Sequence, residues 1–183
     1  MMLSIADLEQ LFARHGGEQY SGEPVTQLEH ALQTAHLAEQ SEAGDALVTA
    51  CLLHDLGHLL NYQGETPTLR GIDDTHQYFA LPFLRGLFSD DVLEAIKLHV
   101  DAKRYLCNVD PGYHARLSDD SKRSLALQGG VFDDETAVAF LALRGARDAV
   151  MLRQWDDLAK QAGLATPTLA HFLDRAAACA LVR

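Results

Sequence analysis

The sequence predicts an all-α protein, and three observations lead to this fold class. Apolar residues recur at intervals of three and four along most of the chain, and residues of the N-cap type precede several of these stripes. Glycines follow where the stripes end. No segment alternates apolar and polar residues as a half-buried strand does. Repeats and linkers are also absent, so residues 1–183 are expected to form a single domain.

The predicted helices follow one another with short connections. The starts that we assign, from capping residues, prolines and apolar stripes, are Ser4, Pro24, Asp45, Asp74, Ser89, Ser118, Asp133, Asp148 and Thr166-Pro167. The helix from Asp45 to Leu60 is the most apolar of them and should be central. Residues 61–73, NYQGETPTLRGID, contain two glycines and a proline and predict a loop.

The amino-acid composition and the net charge limit the kinds of molecule that the protein is expected to bind. The chain has 183 residues, of which 48% are hydrophobic, and a formal net charge of -11, which disfavours binding to nucleic acid or to anionic membranes. The sequence contains no 18-residue apolar run, and its first residues lead us to expect no signal peptide. Three cysteines lie far apart, which is typical of free thiols in a reducing compartment. A cytoplasmic protein is therefore expected.

The segment CLLHDLGHLL, residues 51–60, contains three titratable residues in an apolar run: His54, Asp55 and His58. Such side chains are rarely buried unless something pairs with them. His54 and His58 are four residues apart, so a continuous helix would place both on one face. Core histidines that bond to backbone carbonyls are the simple alternative. Three such residues within five positions favour a metal site instead.

Four further residues on other predicted helices supply possible partners: His30, His76, His99 and Asp156. Each by itself could be a solvated or helix-end residue, but a helical bundle could bring them to one point. Imidazole with carboxylate suits iron, manganese or zinc, and the lack of thiolates argues against a structural zinc site. Six protein ligands exceed what one catalytic metal needs. They match two metals that share a carboxylate, for which Asp55 is the natural bridge.

His30, the pair His54-Asp55 and Asp156 together resemble the H…HD…D signature of the HD-domain superfamily. That superfamily has an all-α fold and consists mostly of metal-dependent phosphohydrolases, so the resemblance implies an HD-domain helical bundle along nearly the whole chain. More specific stretches resemble the PhnZ-type mixed-valent di-iron oxygenases. They are YSGEPVTQLEHALQ, LLHDLGH, HVDAKRYL, SDDSKRSLALQGG and RQWDD.

This resemblance implies an activity and a cofactor. The enzymes of that branch use O2 to cleave the carbon–phosphorus bond of 1-hydroxy-2-aminoethylphosphonate or its N-trimethyl analogue, and they release phosphate with glycine or glycine betaine. The cofactor would be two iron ions in the mixed-valent Fe(II)/Fe(III) state. Their ligands would be His30, His54, Asp55, His76, His99 and Asp156, with Asp55 bridging.

The resemblance also implies substrate contacts. Those expected to bind substrate are His58, Lys103, Ser121, Ser124, Gln128, Arg153 and Glu23. Helical spacing supports two of them, because Lys103 follows His99 by four residues and Arg153 precedes Asp156 by three. Each could otherwise be a solvated cation. For Ser121 a first-turn helix residue and for Gln128 a surface amide are the alternatives.

The YSGE stretch resembles a lid, in which Tyr20 would cover an iron before substrate arrives and Glu23 would admit the cationic end of the substrate. Tyr20 could instead be a loop aromatic at the core edge. A primary ammonium would suit Glu23 or Asp74, whereas a trimethylammonium would suit the aromatic faces of Tyr20 and Tyr62. The sequence leaves this choice open.

Two other functions fit part of the pattern. An HD phosphohydrolase would use His30, His54, Asp55 and Asp156 with a metal-activated hydroxide. A non-catalytic sensor with an HD fold is the third possibility, although such proteins usually lose ligands. The YSGE stretch and the AKRYL block favour the oxygenase. The apolar last helix fits a core or a partner chain, so the oligomeric state is left open.

Overall fold

Helices form the regular secondary structure of the computed structural model, which describes residues 3–20, 22–61, 64, 67–73 and 75–181. The helices are α1 (Ile5–His15), α2 (Gln27–Gln40), α3 (Asp45–Leu53), α4 (Leu56–Leu60), α5 (His76–Phe79), α6 (Leu81–Leu84), α7 (Asp90–Val109), α8 (Tyr113–Arg116), α9 (Asp119–Leu127), α10 (Asp134–Leu141), α11 (Ala146–Leu158) and α12 (Leu169–Ala178). A 3₁₀ helix, Pro67–Arg70, lies between α4 and α5. The predicted all-α fold class is confirmed.

Side-chain caps explain where several helices begin. The hydroxyl of Ser118 accepts a hydrogen bond from the Ser121 amide, as the sequence predicts for the start of α9. Three other predicted starts are wrong by two or three residues; one is Asp148, since α11 begins at Ala146 after Gly145. The cap of α2 is Thr26 rather than the region of Pro24, and the cap of α12 is Thr168 rather than Thr166. In both cases the hydroxyl that reaches the first turn lies after the proline.

The predicted helix from Asp45 to Leu60 is wrong as a continuous element, because it breaks at His54-Asp55 into α3 and α4. The Cys51 carbonyl accepts a hydrogen bond from Nδ1 of His54 at 2.8 Å, and Asp55 has φ -100° and ψ 12°, away from helical values. The break separates His54 from His58, so the prediction that they share one helix face is also wrong.

The predicted helix from Asp74 to Leu87 is likewise divided, into the single turns α5 and α6. Thr75, which caps α5, has φ 49°, a left-handed conformation that a β-branched residue seldom adopts. His76 follows it directly and opens α5 as predicted. The backbone that presents His76 is therefore tightly constrained.

The longest helix, α7, packs most extensively against α11 and also against α3, while α2 packs against α3. Fully buried side chains such as Leu52, Ile96 and Leu152 fill the space between them. Burying a large apolar side chain stabilises a fold by about 1.5–3 kcal/mol. These four helices thus form the framework on which inward-pointing polar side chains can be held.

No helix in the described part of the chain is both long and apolar enough to cross a membrane. That residues 1–183 form one domain stays a prediction.

Candidate metal centre and anion pocket

The structure brings the six predicted metal ligands to one place between α2, α3, α5, α7 and α11. All six are buried, with at most 8% of each residue exposed: His30, His54, Asp55, His76, His99 and Asp156. Burial of so many titratable groups requires compensating partners. The arrangement of two histidine pairs and two carboxylates indicates that these partners would be bound cations.

The first pair consists of His30 on α2 and His54 at the end of α3, whose Nε2 atoms are 3.2 Å apart. Nδ1 of His30 bonds to the Ala159 carbonyl at 2.9 Å, and Nδ1 of His54 bonds to the Cys51 carbonyl at 2.8 Å. A carbonyl only accepts, so each Nδ1 carries the hydrogen and the Nε2 of a neutral ring presents its lone pair. The two lone pairs face each other, an arrangement that a shared cation stabilises.

The second pair consists of His76 on α5 and His99 on α7, with Nε2 atoms 3.0 Å apart. Nδ1 of His99 donates to the Ile96 carbonyl at 2.6 Å. Burial and the neighbouring His76 hold the pKa of His99 well below its ordinary value, which favours the neutral ring that ligates metals. Gly57 lets α4 approach this pair closely, because a Cβ there would lie 2.1 Å from the His76 carbonyl oxygen.

Asp55 lies between the pairs and directs one oxygen to each. Its Oδ2 is 3.3 Å from Nε2 of His54 and 3.6 Å from that of His30, whereas its Oδ1 is 3.2 Å from Nε2 of His76 and 3.7 Å from that of His99. Burial alone would raise the pKa of Asp55, but the adjacent imidazoles, His54 foremost, hold it well below its usual range. The carboxylate is therefore ionised and correctly placed to bridge two cations.

Asp156 on α11 completes the first pair. Its Oδ1 lies 3.4 Å from Nε2 of His30, and its Oδ2 accepts from Nη1 of Arg153 at 2.7 Å. Among the described residues, neither Oδ1 of Asp156 nor Oδ2 of Asp55 has a hydrogen-bond partner. A buried carboxylate oxygen without a partner is costly, and both of these oxygens point at the histidines. They are the positions that a bound cation would satisfy.

The donors present fit a metal centre. Two groups, His30 with His54 and Asp55, and Asp55 with His76 and His99, each keep their ligand atoms within 4.8 Å of one another and share Asp55. Two donors about 2 Å from one cation and at about a right angle are about 3 Å apart, which matches the Nε2 separations in both pairs. Nitrogen and oxygen donors without thiolate suit iron, manganese or zinc.

A cavity of about 60 Å³ opens beside the metal ligands, and most of the predicted substrate contacts line it. They are His58, Lys103, Ser121, Ser124, Gln128 and Arg153. His58 also stacks on His76 with ring centroids 4.2 Å apart. Oε1 of Gln128 is buried and has no hydrogen-bond partner among the described residues.

Lys103 supplies one cation to the cavity wall. It is 2% exposed, and its Nζ donates to Oγ of Ser124 at 2.6 Å. Burial, with the positive charge of Arg153 nearby, lowers the pKa of Lys103 to about 7. A bound oxyanion would restore the charge of this ammonium.

Arg153 supplies the second cation and stays charged. Burial would lower its pKa, but the carboxylates of Asp156 and Asp157 raise it well above the ordinary value. Asp157 accepts from both Nε and Nη2 of Arg153, and the Tyr113 hydroxyl donates to the same carboxylate. Nη2 also reaches toward Oγ of Ser121 at 3.5 Å. Neither Asp157 nor Tyr113 is predicted from the sequence, although the doubled aspartate of RQWDD is a signal for the first.

Of the two predicted lid residues, Tyr20 lines the cavity and Glu23 does not. The Tyr20 ring stacks on His30, with centroids 3.9 Å apart and planes 13° apart, and it lines the cavity. Burial and the Asp55 carboxylate raise the pKa of Tyr20 well above its ordinary value. Glu23 does not belong to the described cavity lining, and its carboxylate pairs with Nζ of Lys160 at 3.0 Å. Lys160 was not anticipated from the sequence.

The remaining candidates lie outside the centre or outside the described residues. Tyr62 and Asp74, the predicted alternatives for the cationic end of the substrate, fall outside the residues that the structure describes. His15 and His171, which have no role predicted from the sequence, approach Glu18 and Glu39 respectively, each at 2.8 Å.

Comparison with known proteins agrees with this arrangement. The sequence profile of the HD domain family matches residues 28–142. The chain is 42% identical over 176 residues to a hydroxymethylphosphonate dioxygenase of Gimesia maris, a match that covers 96% of this chain and 87% of the relative. It is 37% identical over 166 residues to a [1-hydroxy-2-(trimethylamino)ethyl]phosphonate dioxygenase (glycine-betaine-forming) of Leisingera caerulea, covering 88% and 83%. The predicted relationship to HD-domain phosphonate dioxygenases is confirmed, and this chain belongs to the HD domain family.

Proposed function

We propose that this protein is a di-iron oxygenase that uses O2 to cleave the carbon–phosphorus bond of a 1-hydroxyalkylphosphonate. The observation that carries the proposal is the placement of Asp55, which turns one oxygen to each histidine pair beside a cavity walled by Lys103 and Arg153. The two relatives are named for phosphonates of this class, one without and one with a trimethylamino group.

The geometry suggests how the ligands divide. His30, His54 and Asp156 would hold one iron, His76 and His99 would hold the other, and Asp55 would bridge them. The group of His76 and His99 would then offer fewer protein donors among the described residues than the group of His30, His54 and Asp156. A mixed-valent Fe(II)/Fe(III) pair supplies O2 activation and one-electron transfer.

The chain's own part is binding and placement. Lys103 and Arg153 would hold the phosphonate through charge-assisted hydrogen bonds, with Ser121, Ser124, Gln128 and His58 completing the contacts. Because these groups share one cavity with His76 and His99, the phosphonate would bring C1 to the metal side. Fixing that geometry in a small cavity also limits the access of water.

For the simplest substrate of this class the reaction balances without a further reductant. Hydroxymethylphosphonate and O2 give formate, phosphate and a proton. The C–P bond and one C–H bond break, one C–O and one P–O bond form, and O2 accepts the four electrons. An HD phosphohydrolase would use the same ligands on a phosphate ester and would consume no O2.

The decisive experiment compares air with anaerobic conditions. Iron-reconstituted protein is incubated with hydroxymethylphosphonate, 1-hydroxy-2-aminoethylphosphonate and its trimethylammonio analogue, while O2 uptake and phosphate are recorded. We expect one phosphate per O2 and no phosphate without O2. Phosphate release that is indifferent to O2 contradicts the proposal and favours the hydrolase. Electron paramagnetic resonance should show a coupled Fe(II)/Fe(III) signal that shifts with the correct phosphonate.

The cellular compartment, and the lack of nucleic-acid and membrane partners, stay predictions. The three cysteines are free, which fits the expected cytoplasmic compartment, and the net charge of -11 fits the expected lack of nucleic-acid and membrane partners.

A further inference from the structure

Glu23, the predicted receptor for a cationic substrate end, already has a cation of its own. Its Oε1 lies 3.0 Å from Nζ of Lys160, and the two side chains are only 11% and 14% exposed. Nζ of Lys160 also approaches Oγ of Ser118 at 3.4 Å and lies 5.9 Å from the ring centre of Tyr20. Lys160 therefore pairs with Glu23, approaches the cap of α9 and lies within cation–π range of Tyr20.

An ammonium on the substrate would have to compete with this contact. If Glu23 turned to the substrate, Lys160 would lose its carboxylate partner while largely buried, and a second positive charge would arrive close by. Removing one partner of a buried ion pair is strongly unfavourable, and like charges at close range add to the cost. A substrate without a positive charge leaves the pair undisturbed.

The other described carboxylates of the cavity do not replace Glu23. Asp55 and Asp156 belong to the metal centre, and Asp120 accepts hydrogen bonds from Thr68 and Arg123. Asp73 is exposed at the rim, where solvent screens its charge.

The aromatic face that a trimethylammonium would need is also in use. Tyr20 is the one Phe, Tyr or Trp among the described lining residues, and its ring stacks on His30. Within the described part of the chain, the cavity thus offers neither an available buried carboxylate nor an open aromatic face to a cationic group.

We propose that Lys160 is a specificity-determining residue: by holding Glu23 it makes the enzyme favour 1-hydroxyalkylphosphonates that carry no positive charge, such as hydroxymethylphosphonate. This inference rests on the proposed function and narrows its substrate class.

The test ranks three substrates by kcat/KM: hydroxymethylphosphonate, 1-hydroxy-2-aminoethylphosphonate and the trimethylammonio analogue. The unaltered protein should favour the first by at least about tenfold, as a charge mismatch of this kind predicts. In Lys160→Met, Glu23 is released, and the ratio should move toward the aminoethyl substrate by at least about tenfold. Lys160→Arg should keep the original ranking.

Two further variants identify the cause. Lys97→Met removes the lysine of another ion pair, with Glu94 at 2.9 Å, that is more exposed, and it should leave the ranking unchanged. The double variant Lys160→Met/Glu23→Gln should lose the gain of Lys160→Met, because the released carboxylate is then gone. Isothermal titration calorimetry without O2 should reproduce each ranking in Kd, which separates binding from turnover.

Each outcome has one meaning. A clear preference of the unaltered protein for either cationic substrate overturns the inference, as does a Lys160→Met protein that ranks substrates as before. The first of these tests does not depend on whether a variant folds. If none of the three compounds supports O2 uptake, the proposed function itself fails. Turnover with the wrong ranking rejects only the role of Lys160.

Discussion

The cavity has two walls, which differ in whether their buried polar groups have partners within the protein. The metal wall is made of His30, His54, Asp55, His76, His99 and Asp156. The anion wall is made of Lys103, Ser121, Ser124 and Arg153. On the anion wall every cation already has a protein partner, since Lys103 bonds to Ser124 and Arg153 pairs with Asp157.

On the metal wall the lone pairs and two carboxylate oxygens converge without such partners among the described residues. This difference indicates that the protein itself organises the anion wall, whereas the metal wall has donors that bound cations would complete. Changes on the metal wall should therefore alter metal content first, and changes on the anion wall should alter substrate binding first.

Asp55→Ala should abolish O2 uptake and reduce iron affinity by at least about 100-fold, because both histidine pairs lose their shared carboxylate. Iron content by elemental analysis and helicity by circular dichroism measure the result, and we expect the helices to be largely kept. Asp174→Ala, an exposed change on α12, is the control. Full iron content and activity in Asp55→Ala would remove Asp55 as the bridge.

Gly57→Ala should destabilise the protein by about 1–3 kcal/mol, because the new Cβ would overlap the His76 backbone, and iron content should fall from two toward one. Thermal unfolding and iron analysis test this. Gly17→Ala is the matched control, since a Cβ there would meet nothing within 4 Å. Normal iron content in a destabilised Gly57→Ala protein would show that the position of His76 is not critical for the metal.

Lys103→Met should raise KM for the phosphonate by about 10- to 100-fold, the effect of losing a charge-assisted hydrogen bond, and should leave the iron content unchanged. Steady-state kinetics with iron analysis on the same sample measure both. A collapse of iron content would place Lys103 on the metal wall instead.

The stability difference between Lys103→Met and the unaltered protein should depend on pH. Burial lowers the pKa of Lys103 from 10.5 to about 7 in the folded chain, so between these values the unfolded chain binds a proton that the folded chain does not. The stability of the unaltered protein therefore rises with pH over this window, by up to about 5 kcal/mol. In metal-free protein without substrate, Lys103→Met should be the more stable form below pH 7. The two unfolding temperatures should converge toward pH 10; a gap that is constant with pH contradicts the assignment.

Asp157→Asn should raise KM by about tenfold with a smaller change in kcat, because Asp157 is a positioning residue that orients Arg153. Asp157→Glu should restore part of the loss, which a purely structural role would not predict. Iron content should not change. A loss of kcat at constant KM would place the effect on the reaction step rather than on phosphonate binding.

The spacing of residues along the chain predicted part of the site. The HD pair in an apolar segment and histidines on separate helices indicated a shared metal centre, and the structure brings those six side chains together. The spacing of Lys103 from His99, and of Arg153 from Asp156, indicated the side on which the cations lie. The helix break at His54-Asp55 was missed, because it depends on a ring-to-carbonyl bond that periodicity does not reveal.

Helical periodicity and capping act over a few residues, so the sequence alone predicts the helical architecture, several helix starts and the kinds of donor available. The packing of the helices sets which oxygen of Asp55 faces which histidine pair, and it brings Glu23 to Lys160, 137 positions away. Such pairings are made through space once the helices have packed, and the spacing of residues along the chain does not determine them.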